Sequence, residues 1–228
     1  MCKTITTAEE MITPSDVSPA VSCSSPHVYE TYAVTTAPSS ITALRVRPEP
    51  ELLQAAAQDL CPLAPIRPYL GAGALDSQWG VSVWTKFPTR AEWGRGVRLV
   101  VCDLVVDAPR PDEVPLVSFS LRDVMASTRS ARVRLCRTGP PFQYLTCDTA
   151  HEAEKTGTVA VASGLSPVAA QTAALEACTL QARLYTGHAS MPGFRPEFVL
   201  GNAGAVECWL ASENAFTAGT VRGGLIPG

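Results

Sequence analysis

Hydrophobic and polar residues alternate over short runs, separated by clusters of glycine, proline and small polar residues. Alternation over residues 132–137 and 142–146, on either side of a Gly-Pro-Pro sequence at 139–141, predicts a hairpin of two strands. The run at 97–106 is dense in Val and Leu and predicts a buried strand. The pattern therefore predicts short strands joined by tight turns.

Two longer stretches have a different pattern. Residues 49–60 and 167–184 are rich in Ala, Leu, Gln and Glu, which are good helix formers. Pro62 limits the first predicted helix. In the second, small and apolar residues recur at helical spacing around Cys178, so this cysteine is predicted to face a sheet.

The chain contains an internal repeat, marked by its cysteines. The segment C-x-x-x-H-x-x-E occurs twice, at an offset of 124: Cys23, His27 and Glu30, then Cys147, His151 and Glu154. The remaining cysteines correspond in order: Cys2 with Cys136, Cys61 with Cys178, and Cys102 with Cys208. Such self-similarity predicts two domains, at residues 1–128 and 129–228.

Each copy has the order strand, strand, helix and strand, which predicts an α+β fold. We expect two tandem small domains stapled by disulfides, each an antiparallel sheet with one main helix packed on it. The composition suits this fold, since 46% of the residues are hydrophobic and the chain is long enough to bury two small cores.

The net charge is −3, which excludes the electrostatic pattern of a nucleic-acid-binding protein. The first copy carries 10 basic and 14 acidic residues and the second 8 and 7, so neither is a basic patch. The most apolar run, at 99–106, is far shorter than the roughly 20 residues that cross a bilayer. We therefore expect no nucleic-acid partner and no transmembrane segment in this sequence.

The eight cysteines favour an oxidising compartment, where an even number can pair. The N-terminal residues lack the pattern of a signal peptide, so we expect an export or anchor segment upstream and an extracytoplasmic location, secreted or membrane-anchored. The predicted hairpin register places Cys147 beyond the strand pair, which disfavours a first-to-second bond. We expect bonds within each copy, pairing Cys2 with Cys102, Cys23 with Cys61, Cys136 with Cys208, and Cys147 with Cys178. A bond from helix to last strand is the alternative.

The repeated histidines and glutamates raise the question of a metal site. Zinc needs three or four ligands, and His27 with Glu30, or His151 with Glu154, would have to borrow cysteines that otherwise pair. No C-x-x-C is present to strengthen the spacing. A nucleophile elbow is also absent. We therefore expect no metal, no cofactor and no catalytic residue, and assign these four residues as candidates for a binding or structural role.

Aromatic residues cluster in the first copy. Four aromatic residues lie within 15 residues, in a stretch broken by glycine and proline, and could line a groove for peptide or glycan: Trp79, Trp84, Phe87 and Trp93. Arg98 is a further candidate binding residue. The alternative is that the aromatic residues complete the small core. For Trp93 we predict packing over the helix that bears Cys61.

Residues 88–102, with the sequence PTRAEWGRGVRLVVC, follow the pattern P-T-x-x-x-W-x-x-G-x-R-x-x-x-C. Together with the C-x-x-P-H-x-x-E segment, this run resembles the septum formation family of actinobacterial envelope proteins, here as a tandem pair. The second copy lacks the run and is the more diverged. The resemblance implies a non-catalytic extracytoplasmic binding or assembly module whose partner is an unknown envelope protein or cell-wall component. The rival hypothesis is a metal-dependent enzyme that uses the two C-x-x-x-H-x-x-E segments.

Overall fold

The computed structural model describes residues 1–5, 14–15, 17–57, 60–76, 79–107, 114–139, 141–213 and 218–222. The chain divides into two compact units. The first unit comprises Met1–Gly71 and Val81–Asp123, and the second comprises Ala72–Gly80 and Val124–Gly228. The division thus falls at Asp123 rather than at residue 128, and a short segment from the middle of the first copy belongs to the second unit.

The first unit contains a five-stranded antiparallel sheet in the order β2-β1-β3-β5-β4. Its strands are β1 (Cys2–Lys3), β2 (Ala20–Val21), β3 (Tyr29–Thr36), β4 (Val81–Lys86) and β5 (Leu99–Val106). The inner strand β5 pairs with both β3 and β4 and includes the Val- and Leu-rich run. Its burial confirms the prediction of a buried strand there.

The described part of this unit has four short helices: α1 (Ser39–Thr42), α2 (Pro50–Ala57), α3 (Ile66–Leu70) and α4 (Arg90–Gly94). Helix α4 begins with a capping box, in which Thr89 and Glu92 satisfy each other's backbone N–H groups. Trp93 on α4 packs with Leu53 on α2 and Val100 on β5. Helices α2 and α4 therefore pack on one face of the sheet.

The second unit contains the same arrangement of strands, in the order β7-β6-β8-β10-β9. Its strands are β6 (Leu135–Thr138), β7 (Gln143–Thr146), β8 (Ala153–Ala160), β9 (Phe194–Leu200) and β10 (Ala205–Ser212). Strands β6 and β7 form the predicted hairpin, with Arg137 opposite Tyr144; Pro140 of the predicted turn lies outside the described residues. The described residues of this unit also include 3₁₀ segments at Val124–Ala126, Ser130–Arg132 and Asn202–Gly204.

One long helix, α5 (Pro167–Thr186), covers a face of this sheet. The Ser166 side chain caps its start, and Gly187 ends it in the left-handed conformation that glycine adopts without strain. Cys178 packs with Val206 and Cys208 of β10, as the helical spacing predicted. The fold is therefore α+β with two antiparallel sheets, as the sequence predicted. No helix in the described part of the chain is long and apolar enough to cross a membrane.

Four disulfides are present, and each joins cysteines of the same unit, as expected, but the predicted pairing is wrong. The bonds are Cys2–Cys23, Cys61–Cys102, Cys136–Cys147 and Cys178–Cys208. The predicted bonds were Cys2–Cys102, Cys23–Cys61, Cys136–Cys208 and Cys147–Cys178. Instead, the first cysteine of each unit pairs with the second, and the third pairs with the fourth, which lies on the last strand of the unit.

The strand register explains the error. Cys136 lies opposite Leu145, and Cys147 follows two residues later, so it is a diagonal neighbour on the same face. The backbone N–H of Cys147 donates to the carbonyl of Arg134, which extends the pairing beyond β7. The two cysteine Cα atoms are therefore only 5.1 Å apart. In the first unit, Cys2 lies opposite Val21. Cys23 follows Val21 by two residues, so it is again the diagonal neighbour.

Candidate functional site

In the first unit, the C-x-x-x-H-x-x-E segment leads from a disulfide into a central strand. Cys23 is bonded to Cys2, His27 forms an isolated β-bridge with Val117, and Glu30 lies near the start of β3. Glu30 sits between Cys2 and Leu104 of the neighbouring strands. Its side chain is 2% exposed, so its charge has to be compensated inside the protein.

Three groups donate hydrogen bonds to this carboxylate. The Tyr69 and Ser120 hydroxyls both donate to Oε1 at 2.6 Å, and the Leu121 backbone N–H donates to Oε2 at 2.7 Å. His27 Nε2 lies 3.7 Å from Oε2. We call Glu30, Tyr69, Ser120 and Leu121 the carboxylate clasp of the first unit.

The clasp shifts the acid–base properties of its members. Burial alone would raise the pKa of Glu30, but His27 and the hydrogen-bond donors outweigh it and lower the pKa to about 2. Burial lowers the pKa of His27, yet Glu30 and the Ser25 carbonyl reverse this and raise it overall. Burial and the Glu30 charge both raise the pKa of the Tyr69 hydroxyl. Glu30 is therefore a permanent anion at neutral pH.

The second unit has an equivalent clasp around Glu154. The Tyr185 hydroxyl donates to Oε1 at 2.5 Å, the Thr220 hydroxyl donates to the same oxygen at 2.6 Å, and the Val221 N–H donates to Oε2 at 2.7 Å. Tyr185, like Tyr69, is supplied by a helix, and the other two donors come from a later segment. Each clasp therefore holds three separate parts of its unit together.

The sequence carries a signal for the last part of the clasp that the cysteine-based repeat does not include. Ser120-Leu121-Arg122 and Thr220-Val221-Arg222 are matching triplets of hydroxyl, aliphatic and arginine residues. The arginine of each triplet stacks on the clasp tyrosine, with Cζ 4.7 Å from the Tyr69 ring centroid and 5.3 Å from that of Tyr185. Both triplets follow the last cysteine of their copy, so a repeat that ends at the cysteines stops short of them.

A buried ion network surrounds the second clasp. Arg134 donates from Nη1 to the Tyr185 hydroxyl and to Asp76 Oδ1, both at 2.8 Å, and Arg222 Nε donates to the same Asp76 oxygen at 3.0 Å. Burial raises the pKa of Asp76, but the two arginines and a backbone N–H outweigh it and lower the pKa overall. Asp76 thereby ties the segment Ala72–Gly80 into the second unit.

The clasp residues lie beside sulfur atoms that could bind a metal only as thiolates. Among the described residues, donor atoms within 4.8 Å of one another form two groups: Cys2, Cys23 and Glu30 in the first unit, and Cys136, Cys147, His151 and Glu154 in the second. All four of these cysteines are in disulfides, so none is a thiolate ligand in this state. The candidate residues His27, Glu30, His151 and Glu154 are between 0% and 2% exposed, so they do not form a surface for a ligand.

The aromatic groove predicted for the first copy does not form around Trp84 and Trp93, which lie on opposite faces of the sheet. Trp93 is 1% exposed in the core, its Nε1 donates to the Leu44 carbonyl at 3.1 Å, and Arg98 stacks on its ring at 4.0 Å. Trp93 packs against α2 as predicted, but α2 is observed over Pro50–Ala57 and does not bear Cys61. Trp84 packs against the cluster that contains Val105. Trp79 is a residue of the second unit.

A different set of aromatic residues lies on the face of the second sheet opposite the one that α5 covers. Trp209 is fully buried there, Tyr144 stacks on it at 5.8 Å, and the Arg137 guanidinium lies 4.4 Å from its ring centroid. The same guanidinium lies 4.1 Å from the ring of Phe142. Phe142 and Tyr144 are each 51% exposed. We call Arg137, Phe142, Tyr144 and Trp209 the aromatic platform.

A shallow pocket of about 390 Å³ adjoins the platform. It is lined by Arg137 and Phe142, by Leu175 of α5 and by residues 195–199 of β9. Within it Glu197 accepts hydrogen bonds from Arg137 at 2.6 Å and from Arg195 at 2.6 and 2.9 Å. The platform thus places apolar rings next to fixed charges. The sequence indicates part of the platform, because aromatic residues alternate at 142 and 144 of the predicted strand. It does not indicate Trp209, which contacts them in the fold but is distant in sequence.

The comparisons with known proteins give one result. The family model described as septum formation matches residues 2–211, which is most of the chain and includes both C-x-x-x-H-x-x-E segments. Neither a curated protein nor a solved structure matches this chain. The chain belongs to the septum formation family.

Proposed function

We propose that this protein is a non-catalytic binding or assembly module of the actinobacterial cell envelope, acting outside the cytoplasmic membrane in septum formation. Family membership supports the link to the septum. Four disulfides support a location in which thiols are oxidised, whether the protein is secreted or anchored there.

The observation that carries the non-catalytic assignment is the burial of the residues with the greatest chemical potential. A general acid or base has to come within hydrogen-bond distance of its substrate. Glu30 and Glu154 instead face internal donors, and both carboxylates are at most 2% exposed. Their neighbouring cysteines are in disulfides, which removes the thiolate that a cysteine nucleophile or a cysteine metal ligand needs.

The aromatic platform supports a binding function and indicates the ligand class. Tyr144 lies on β7 and Phe142 immediately precedes this strand, and the rings of both adjoin the stacked pair of Arg137 and Trp209. Stacking on Arg137 and Trp209 fixes them before a ligand arrives, which lowers the entropy lost on binding. Exposed rings beside Arg195 and Glu197 offer apolar faces with donors and acceptors at their border, a combination that suits a polysaccharide. We propose a glycan strand of the cell wall as the ligand.

Co-sedimentation with purified cell-wall sacculi tests this proposal. We expect the wild-type protein to pellet with sacculi, and the Phe142→Ala/Tyr144→Ala variant to bind at least about tenfold more weakly, because each ring contributes on the order of 1 kcal/mol. Leu180→Ala is the matched control, since this residue is 58% exposed but lies on α5. Equal pelleting of the double variant, or no pelleting of the wild type, would count against glycan binding. In the latter case a protein partner becomes the better hypothesis.

The rival hypothesis of a metal-dependent enzyme is tested on protein purified from an oxidising compartment. Our proposal predicts close to zero titratable thiols and no bound zinc. Four or more thiols protected by stoichiometric zinc would support the rival, because zinc binding by these cysteines requires thiolates.

A further inference from the structure

We infer that, when its Cys136–Cys147 disulfide is reduced, the second unit binds one zinc ion through Cys136, Cys147, His151 and Glu154. This inference goes beyond the proposed function, which concerns the oxidised protein. It assigns a second, mutually exclusive state to the region around the second clasp.

The donor set and its size fit zinc. The two sulfurs, an imidazole nitrogen and a carboxylate oxygen all lie within 4.8 Å of one another, and all four residues are buried. Tetrahedral zinc with bonds of about 2.0 to 2.3 Å needs its ligands about 3 to 4 Å apart. The cysteine Cα atoms, 5.1 Å apart, can remain in place while the separated sulfurs move to this distance.

Hydrogen bonds already orient the two ligands that are not sulfur. His151 Nδ1 lies 2.7 Å from the Thr149 carbonyl, which can only accept, so the proton is on Nδ1 and the lone pair is on Nε2. A ligating histidine is held in this way by a backbone carbonyl in many zinc sites. The clasp donors Tyr185, Thr220 and Val221 fix the Glu154 carboxylate in the same manner.

The chemistry of the switch balances with a phosphine as reductant. The phosphine and one water molecule convert the disulfide into two thiols, and the phosphine is oxidised to its oxide. Zinc then displaces the two thiol protons. Two thiolates and one carboxylate give the zinc site a net charge of −1, and Arg134, which donates to the Tyr185 hydroxyl, is a nearby compensating cation.

The first unit offers an internal comparison. There the group of close donors contains Cys2, Cys23 and Glu30, and His27 is not part of it. His27 Nε2 instead lies 3.7 Å from Glu30 Oε2. With three ligands rather than four, this group is a poorer zinc site, so we expect one zinc ion per chain and not two.

The test uses the full chain, reduced by a water-soluble phosphine in denaturant and refolded without oxygen in the presence of Zn²⁺. After desalting, elemental analysis should find about one zinc per chain, and Co²⁺ in its place should give the visible and thiolate charge-transfer absorption of a tetrahedral site. Zinc should also raise the melting temperature of the reduced protein.

Matched variants localise the metal. Cys136→Ser/Cys147→Ser and His151→Ala should retain no zinc, whereas His27→Ala and Cys178→Ser/Cys208→Ser should retain as much as the wild type. The inference is wrong if reduced wild-type protein retains no zinc, if His151→Ala retains it fully, or if His27→Ala loses it. Sacculus binding by the oxidised protein is measured separately, so failure of either proposal can be recognised.

Discussion

At the scale of single residues, the most consequential groups are two glutamates whose charges face inward. Glu30 accepts hydrogen bonds from two hydroxyls and one backbone N–H, and Glu154 does the same. A buried carboxylate without such donors would destabilise the fold by several kcal/mol. With them, each carboxylate connects its strand, a tyrosine and a distant segment. These glutamates are therefore structural groups whose loss acts on stability.

The low pKa of Glu30 predicts acid sensitivity of the first unit. Its pKa is about 2 in the folded protein and 4.5 ordinarily, so the ionised group stabilises the fold above about pH 5. This contribution is lost as the pH falls from about 4.5 to about 2. We expect the unfolding free energy, measured with urea at several pH values, to fall over this range by about 3 kcal/mol more in the wild type than in Glu30→Gln.

His27 acts in the opposite direction, because its pKa is raised by folding. Its protonated form stabilises the fold below its ordinary pKa of 6.5, and this contribution is lost as the pH rises through the raised value.

The prediction for Glu30 would be contradicted if the unfolding free energies of wild type and Glu30→Gln fell in parallel between pH 4.5 and about 2. The clasp would then not hold the Glu30 carboxylate ionised.

Trp93 is the largest buried side chain of the first core. We predict that Trp93→Ala lowers the unfolding free energy by about 3 to 5 kcal/mol, because it leaves a large cavity and removes the ring on which the Arg98 guanidinium stacks. Trp84→Ala is the control, with a smaller expected loss, since Trp84 is only partly buried. Thermal or urea unfolding measures both, and an unchanged midpoint for Trp93→Ala would place this ring at the surface.

At the scale of elements, the sequence predicted what depends on local pattern. The helix α5 was predicted from 167 and is observed over Pro167–Thr186, and the hairpin was placed on β6 and β7. The predicted pairing of the cysteines is wrong, because it depends on whether the Cα atoms of Cys136 and Cys147 come within about 7 Å of each other. The sequence does not distinguish a Cys147 that is a diagonal neighbour of Cys136 from a Cys147 that lies beyond the paired strands. Likewise, Tyr69 and Ser120 are 51 residues apart, and no periodicity connects them.

The disulfides differ in the chain segments that they close. Cys136–Cys147 closes a short loop with a sequence separation of 11, and Cys61–Cys102 one with a separation of 41. In the chain-entropy model these bonds stabilise by about 3 and about 4 kcal/mol. We therefore predict that serine replacement of Cys61 and Cys102 costs more stability than replacement of Cys136 and Cys147, as measured by urea unfolding.

Non-reducing peptide mapping checks the pairing itself. The four bonds of the structure each join peptides of the same unit. A peptide linking Cys147 to Cys178, or Cys23 to Cys61, would contradict the strand register of the structure. That register places Cys136 diagonally opposite Cys147, and Cys2 diagonally opposite Cys23.

At the scale of the whole molecule, the two units share a strand order and a clasp but differ in their surfaces. Both sheets have the same strand topology, and helices pack on a face of each. The aromatic platform lies on the second unit. We propose that the common clasp maintains each unit, and that the platform gives the second unit its ligand.

One pair of variants separates stability from binding, when both are compared at a temperature where both are folded. Glu30→Gln should lower the unfolding free energy by about 2 to 3 kcal/mol and leave sacculus co-sedimentation unchanged. Phe142→Ala/Tyr144→Ala should leave the unfolding free energy within about 1 kcal/mol of the wild type and weaken co-sedimentation at least about tenfold. Loss of binding in folded Glu30→Gln, together with full binding by the double variant, would contradict this division of roles between clasp and platform.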